Sequence, residues 1–190
     1  MTKTPGIVVR RHRLTETSLI VTWCTQERGL VKTVAKGALR PKSALAGRVD
    51  LFLAAEVAFV ESRRSDLHTL REAEVTNHRL GVRESWRRVM AASYFVHLIE
   101  QLAEPATPIP ELYDLLERAL DFLDRQDPDR RAVLHFEKEL ARSLGMHAPD
   151  GKTPWQALQH HGRLRPNQRE PLLAALENDH RGATPSEPAG

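Results

Sequence analysis

Alternation of apolar and polar positions dominates the first eighty residues. Val49, Leu51, Leu53, Ala55, Val57 and Phe59 recur at every second place and predict a strand over Val49–Val60 with one wholly apolar face. Gly6–Leu14, Thr17–Thr25 and Leu30–Lys36 are β-branched stretches separated by Glu16 and Gln26–Gly29, and each predicts a further strand. After a polar turn at Arg63–Asp66, Leu67–Val75 gives a fifth. No helical period runs among them, so the segment reads as a small barrel or sandwich.

From about Glu84 the period becomes helical. Val89–Ile99 is apolar on nearly every face, interrupted by Ser93 and His97, and predicts the buried centre of a second domain with His97 as a hydrogen-bonded core histidine. Pro105, Pro108 and Pro110 break the chain, and Pro110 suits a first helical position. Leu112, Leu115, Leu116, Ala119 and Leu123 then form a stripe beside Asp114, Glu117, Asp121 and Asp124, which read as a solvated face. Asp127-Pro128 is an N-cap and first-turn signature for a helix carrying Val133, Phe136, Leu140 and Leu144 and stopping at Gly145. Thr153-Pro154-Trp155-Gln156 has capping-box spacing and opens a helix ending near Gly162, and Pro171–Asp179 forms the last. Arg181–Gly190, rich in Pro and Gly, is expected to be disordered. The expected class is α+β: a five-stranded barrel over 1–80, an all-α domain over 81–180 and a tail over 181–190. Five is the strand count of the OB-fold, a barrel that commonly binds single-stranded nucleic acid or oligosaccharide. An SH3-like barrel reads similarly.

Composition narrows the function classes. The chain has 190 residues, 41% hydrophobic and 28% charged, enough to bury a core. Its one cysteine, Cys24, excludes a disulfide framework and a Cys-rich zinc site, fits a reducing compartment, and alternates with apolar neighbours as a small core residue does. No apolar run approaches the ~20 residues of a membrane span, so neither secretion nor membrane insertion is expected. Net charge is only +3, but it is unevenly spread. Residues 1–48 hold Lys3, Arg10, Arg11, Arg13, Arg28, Lys32, Lys36, Arg40, Lys42 and Arg48 against Glu16 and Glu27, while residues 81–190 are slightly acidic. A basic front on a near-neutral body points to a polyanion, most plausibly nucleic acid.

The segment Leu30–Ser43 concentrates that signal. Alternation puts Lys32 and Lys36 on one face and Val31, Thr33 and Ala35 on the other, the two lysines ~13 Å apart along the strand. Gly37 permits a sharp exit, leaving Arg40 and Lys42 on a loop. The bland alternative is a solvated basic face that only aids solubility. Gly37 to Lys42-Ser43 imitates the end of a P-loop, but Pro41 stands where the second glycine belongs and lacks the N–H that would cradle phosphate. His160 and His161 are adjacent and diverge on a helix, and no nucleophile, metal or dinucleotide motif occurs, so no enzyme activity is expected. Trp23 and Phe52 are the only aromatics of the first domain left to stack on bases, because Phe59 belongs to the apolar face. Binding should therefore rest on phosphates.

Gly6-Ile7-Val8-Val9-Arg10-Arg11, then Thr15-Glu16-Thr17-Ser18-Leu19-Ile20-Val21, Gly29-Leu30-Val31 and Ala35-Lys36-Gly37-Ala38-Leu39-Arg40-Pro41-Lys42-Ser43 resemble the opening of the bacterial DNA repair protein RecO family. Ala91-Ala92-Ser93-Tyr94 and the Phe136…Leu144-Gly145 helix end resemble its helical domain, so the likeness covers roughly residues 5–147. It implies an OB-fold joined to a helical domain, in a cytoplasmic, nucleoid-associated recombination mediator with no cofactor. Such a protein binds single- and double-stranded DNA, anneals complementary strands and, with RecR, helps load RecA onto strands coated by single-stranded DNA-binding protein. It also implies that the tail of that coating protein docks on the helical domain. The family's DNA-contacting positions fall on Lys36 and Arg40, with Lys42, Arg10, Arg11 and Lys32 as additions. Many relatives continue past this helix end into a four-cysteine zinc module. Here the chain runs Met146-His147-Ala148-Pro149-Asp150-Gly151, so a short form without zinc is expected. The alternative is another non-enzymatic OB-fold module, binding RNA, with a helical interaction domain.

Overall fold

Five strands close into a barrel in the computed structural model, which describes residues 1–146, 152–162, 164–165 and 167–177. They are β1 (Thr2–Arg13), β2 (Leu19–Thr25), β3 (Gly29–Ala35), β4 (Ala54–Val60) and β5 (Leu67–Asn77). The order is β1-β2-β3-β5-β4, with β4 returning to β1. Only the β3–β5 pair is parallel. This is OB-fold topology, which strand count alone left open. Closure depends on the twelve-residue β1, which pairs β4 through Thr2–Ile7 and β2 through Gly6–Arg13. Its register shifts between Val8 and Arg10, and such a bulge lets one strand bend around two neighbours.

Both faces of the wall are apolar. Val8, Val21, Trp23, Val31, Ala35, Leu53, Ala55, Val57 and Phe59 fill the barrel. Ile7, Val9, Cys24, Leu30, Phe52 and Ala54 face the helices instead. Cys24 is thus a buried residue of the joint. The fourth strand is shorter than the alternation predicted, because Phe52 lies at φ +73°, outside extended backbone. Val49 and Leu53 still reach the barrel core, so the alternation there reported burial rather than strand.

The helices are α1 (Trp86–Leu102), α2 (Pro110–Arg125), α3 (Arg130–Ser143), α4 (Pro154–Gly162) and α5 (Arg169–Glu177), preceded by a 3-10 turn over Leu80–Glu84. The nearly all-apolar α1 is central, touching α2, α4, α5 and β1. His97 on it is half-buried rather than a core residue. Pro110 opens α2 as expected, and Thr153 and Gln156 form the reciprocal capping box at α4, at 2.8 and 3.3 Å. The cap of α3 is Asp129, not Asp127: Asp129 Oδ1 accepts from the Ala132 N–H at 2.7 Å. Asp127 instead accepts from Arg88 Nε at 2.6 Å and from the Ser85 hydroxyl at 3.0 Å. The last helix begins two residues before the predicted start. Asp179 and the tail 181–190 lie outside the described residues.

The acids of α2 are not a free solvated face. Arg79, 1% exposed and at φ +47°, donates to Asp121 Oδ1 at 2.8 Å and to the Phe52 carbonyl at 2.8 Å. The Gly81 N–H donates to Asp124 Oδ1 at 2.8 Å. These contacts fasten the end of the barrel to α2. A second buried group joins the helices: Glu137 accepts from the Tyr94 hydroxyl at 2.7 Å and from Arg169 at 2.7 and 3.1 Å. Arg169 also lies 4.8 Å from the centre of the Trp155 ring. A buried carboxylate is tolerable only when paired and hydrogen-bonded in this way. Burial, reinforced by the Glu137 carboxylate, pushes the Tyr94 hydroxyl up, so it stays a donor.

Candidate nucleic-acid interface

The alternation of β3 continues one residue beyond the strand. Thr33 and Ala35 are buried, whereas Lys32 and Lys36 project into solvent. Gly37 then turns the chain at φ +67°, a conformation that costs other L-residues ~1–2 kcal/mol. The loop that follows hangs from the β1–β2 turn. The Gly37 N–H donates to Ser18 Oγ at 3.2 Å, and the Leu39 N–H to the Thr17 carbonyl at 3.0 Å. That turn is itself ordered by Thr15 Oγ1, which accepts from the Ser18 N–H at 3.1 Å. Buried Ala38 and Leu45 anchor the loop from below.

A cleft of about 410 Å³ results, walled by Leu14, Thr15, Thr17 and Ser18 on one side and by Val34, Lys36, Gly37 and Arg40 on the other. Leu14 and Leu39 stand exposed beside it. Lys42 is exposed on the same loop. The site thus offers cations, threonine hydroxyls and a little apolar surface, which suits a phosphodiester chain. Among the described residues no three His, Cys, Asp or Glu side chains are grouped to hold a metal ion, and no helix is long and apolar enough to cross a membrane.

The six sequence-selected cations divide into two sets. Arg10 pairs with Glu100 at 3.0 Å, Arg11 with Asp50 at 3.1 Å and Lys32 with Asp66 at 3.1 Å. The hydrogen bond and charge of Lys32 hold the Asp66 carboxyl below its ordinary range, so that pair stays ionised. Lys36, Arg40 and Lys42 have no carboxylate partner among the described residues. Sequence position could not reveal this division, since Glu100 lies ninety residues from Arg10.

The barrel aromatics are withdrawn from solvent. Trp23 is buried, its indole N–H donating to Thr33 Oγ1 at 2.9 Å, and Phe52 and Phe59 are buried too. The expectation that Trp23 or Phe52 was left free to stack is therefore corrected. A second concavity, about 610 Å³, opens between α2 and α3 over Phe95, Leu115, Phe122 and Phe136, with Arg118 and Arg131 at its rim. Phe95, Leu115 and Phe136 read as core from the helical stripes, which concealed it.

Comparison with known proteins bears on both halves. Residues 1–79 match the family described as "Recombination protein O N terminal", and residues 83–149 match "Recombination protein O C terminal". A DNA repair protein RecO from Rhodopirellula baltica is 30% identical over 144 residues, covering 76% of this chain and 53% of its own. One from Bacillus subtilis is 33% identical over 130 residues, 68% of this chain and 50% of its own. One from Idiomarina loihiensis is 33% identical over 142 residues, 74% and 59% respectively. The chain spans about half the length of the curated relatives it matches. With the OB-fold barrel, the helical unit behind it and both family regions in sequence order, the chain belongs to the recombination protein O family.

Proposed function

We propose that this protein is a DNA repair and recombination mediator that acts by binding, with no chemical step of its own. The observation that carries the reading is the cation set without carboxylate partners among the described residues: Lys36 and Arg40 lining the loop cleft, with Lys42 exposed on the same loop. Cations free of carboxylates need displace only counterions to take a phosphate, the dominant source of nucleic-acid affinity. Arg10, Arg11 and Lys32 form a reserve, because exposed ion pairs are worth only ~0–1 kcal/mol and a phosphate can exchange for the carboxylate. With no aromatic exposed on the barrel, this face reads charge rather than sequence and accepts single and double strands alike.

The relatives are named as DNA repair proteins, which supports DNA as the substrate; the protein partners rest on the family resemblance. RecR and, indirectly, RecA are the proposed co-actors, on strands coated by single-stranded DNA-binding protein, in the cytoplasm at the nucleoid. The tail of the coating protein is assigned to the α2–α3 pocket. Its apolar floor suits an apolar side chain, and Arg118 and Arg131 suit a carboxylate. The deciding experiment is annealing of complementary strands precoated with single-stranded DNA-binding protein. Addition of this protein should accelerate annealing, and Lys36→Ala with Arg40→Ala should remove the acceleration. Preferential binding of RNA, with no effect on coated DNA, would contradict the proposal and favour an RNA-binding module.

A further inference from the structure

Three tryptophans occur in the chain, and only one faces water. Trp23 is 0% exposed and Trp155 9%, but Trp86 is 57% exposed. Burying an aromatic of this size is worth a few kcal/mol, so a tryptophan left outside both cores calls for an occupant. Trp86 is the first residue of α1, where the helices meet the barrel. The Arg87 guanidinium lies 5.7 Å from its ring centre, and Leu80, 68% exposed, is on the turn just before it.

Its neighbours lead back to the phosphate face. Arg83, three residues earlier and so within about 11 Å along the chain, donates to the Leu51 carbonyl at 3.2 Å and pairs with Asp50 at 3.0 Å. Asp50 also holds Arg11 at 3.1 Å. It belongs to the same β3–β4 connection that carries Arg40 and Lys42. Arg11 on β1 and Arg83 before α1 thus share Asp50 of that connection, and Arg87 stands beside the one exposed indole. Arg88 pairs with Glu84 at 3.6 Å and Asp127 at 2.6 Å, and the charge of Arg87 acts on Asp127 as well.

We propose that Trp86 is a stacking platform for one unpaired base of a single strand whose phosphates lie along the barrel loop. The inference rests on the phosphate-binding reading above and adds a division of labour to it. Lys36 and Arg40 take any phosphodiester chain, whereas Trp86 distinguishes single strands from duplexes, whose base faces are already stacked. An arginine beside an aromatic ring is the arrangement that single-strand binders use, and one stacked base is worth enough for a change of about 5- to 150-fold in affinity.

The test uses the full chain, an oligothymidylate and a hairpin duplex, read by tryptophan emission and by anisotropy of labelled DNA. The oligothymidylate should quench the emission, and Trp86→Phe should abolish the quenching while leaving most of the affinity. Trp86→Ala should weaken oligothymidylate binding about tenfold and leave hairpin binding and the circular dichroism melting curve unchanged. Full oligothymidylate affinity in Trp86→Ala, with binding still lost in Lys36→Ala/Arg40→Ala, would overturn the stacking role alone. Equal weakening on both probes would overturn it as well, and so would an emission shift that tracks protein concentration without DNA, the mark of a protein contact. Wild-type binding that ignores Lys36 and Arg40 would instead overturn the phosphate reading beneath it.

Discussion

Exposure without a carboxylate partner among the described residues separates Lys36, Arg40 and Lys42 from Arg10, Arg11 and Lys32. Each has its charge solvated, and the Gly37 turn with its bond to Ser18 fixes where the loop begins. Cys24 is the opposite case, a titratable group sealed in the joint between barrel and helices. Burial pushes its thiol from 9.0 up to about 12. The folded chain therefore keeps the proton over a range in which the unfolded chain has lost it. Stability contributed by the protonated thiol is complete below pH 9 and declines as pH rises from there through about 12. An aromatic disulfide reagent at pH 8 should leave Cys24 untouched in the native protein and modify it at the unfolding rate. Immediate stoichiometric reaction would show that the joint is open.

At the scale of elements, the joint is made by close approach of backbones. Gly29, at φ +62° at the start of β3, faces the segment after α1, and a Cβ there would lie 2.2 Å from the Thr107 carbonyl oxygen. Beside it, the Ala106 N–H donates to the Leu30 carbonyl at 3.1 Å. Gly29→Ala should cost clearly more than about 1 kcal/mol in urea denaturation, because backbone strain and displacement of the Thr107 segment add. Gly37→Ala, where the nearest atom is 3.6 Å away on the Arg40 side chain, should carry only the dihedral strain. Equal costs would mean the Thr107 contact is unimportant to the fold. The five strands and the apolar α1 were legible because period follows burial. Phe52 was not, since no Gly or Asn marks its left-handed backbone, and Asp127-Pro128-Asp129 offers two capping acids that local spacing cannot separate. Arg79 was equally hidden: its partner Asp121 lies forty-two residues away, and an arginine after a strand reads as surface. Lys36 and Arg40 are exposed, as alternation and Gly37 imply, but their lack of carboxylate partners is a property of the folded chain.

For the whole molecule, the barrel face carries the positive charge and the helical side is slightly acidic, so the two halves suit different partners. On the proposed reading, the β3 loop takes the polyanion and the α2–α3 pocket takes a protein tail. The central claim is that Lys36 and Arg40 each neutralise a phosphate. Salt titration of DNA affinity for wild type and Lys36→Ala/Arg40→Ala, on two unrelated oligonucleotides, tests it directly. The slope of log affinity against log salt should flatten by roughly 1.4 on single strands and 1.8 on duplex, equally for both sequences. Thermal stability should be unchanged, since exposed substitutions usually stay within ~0.5 kcal/mol. An unaltered slope in a folded double mutant would contradict the claim and move the phosphate contacts to Arg10, Arg11 and Arg13.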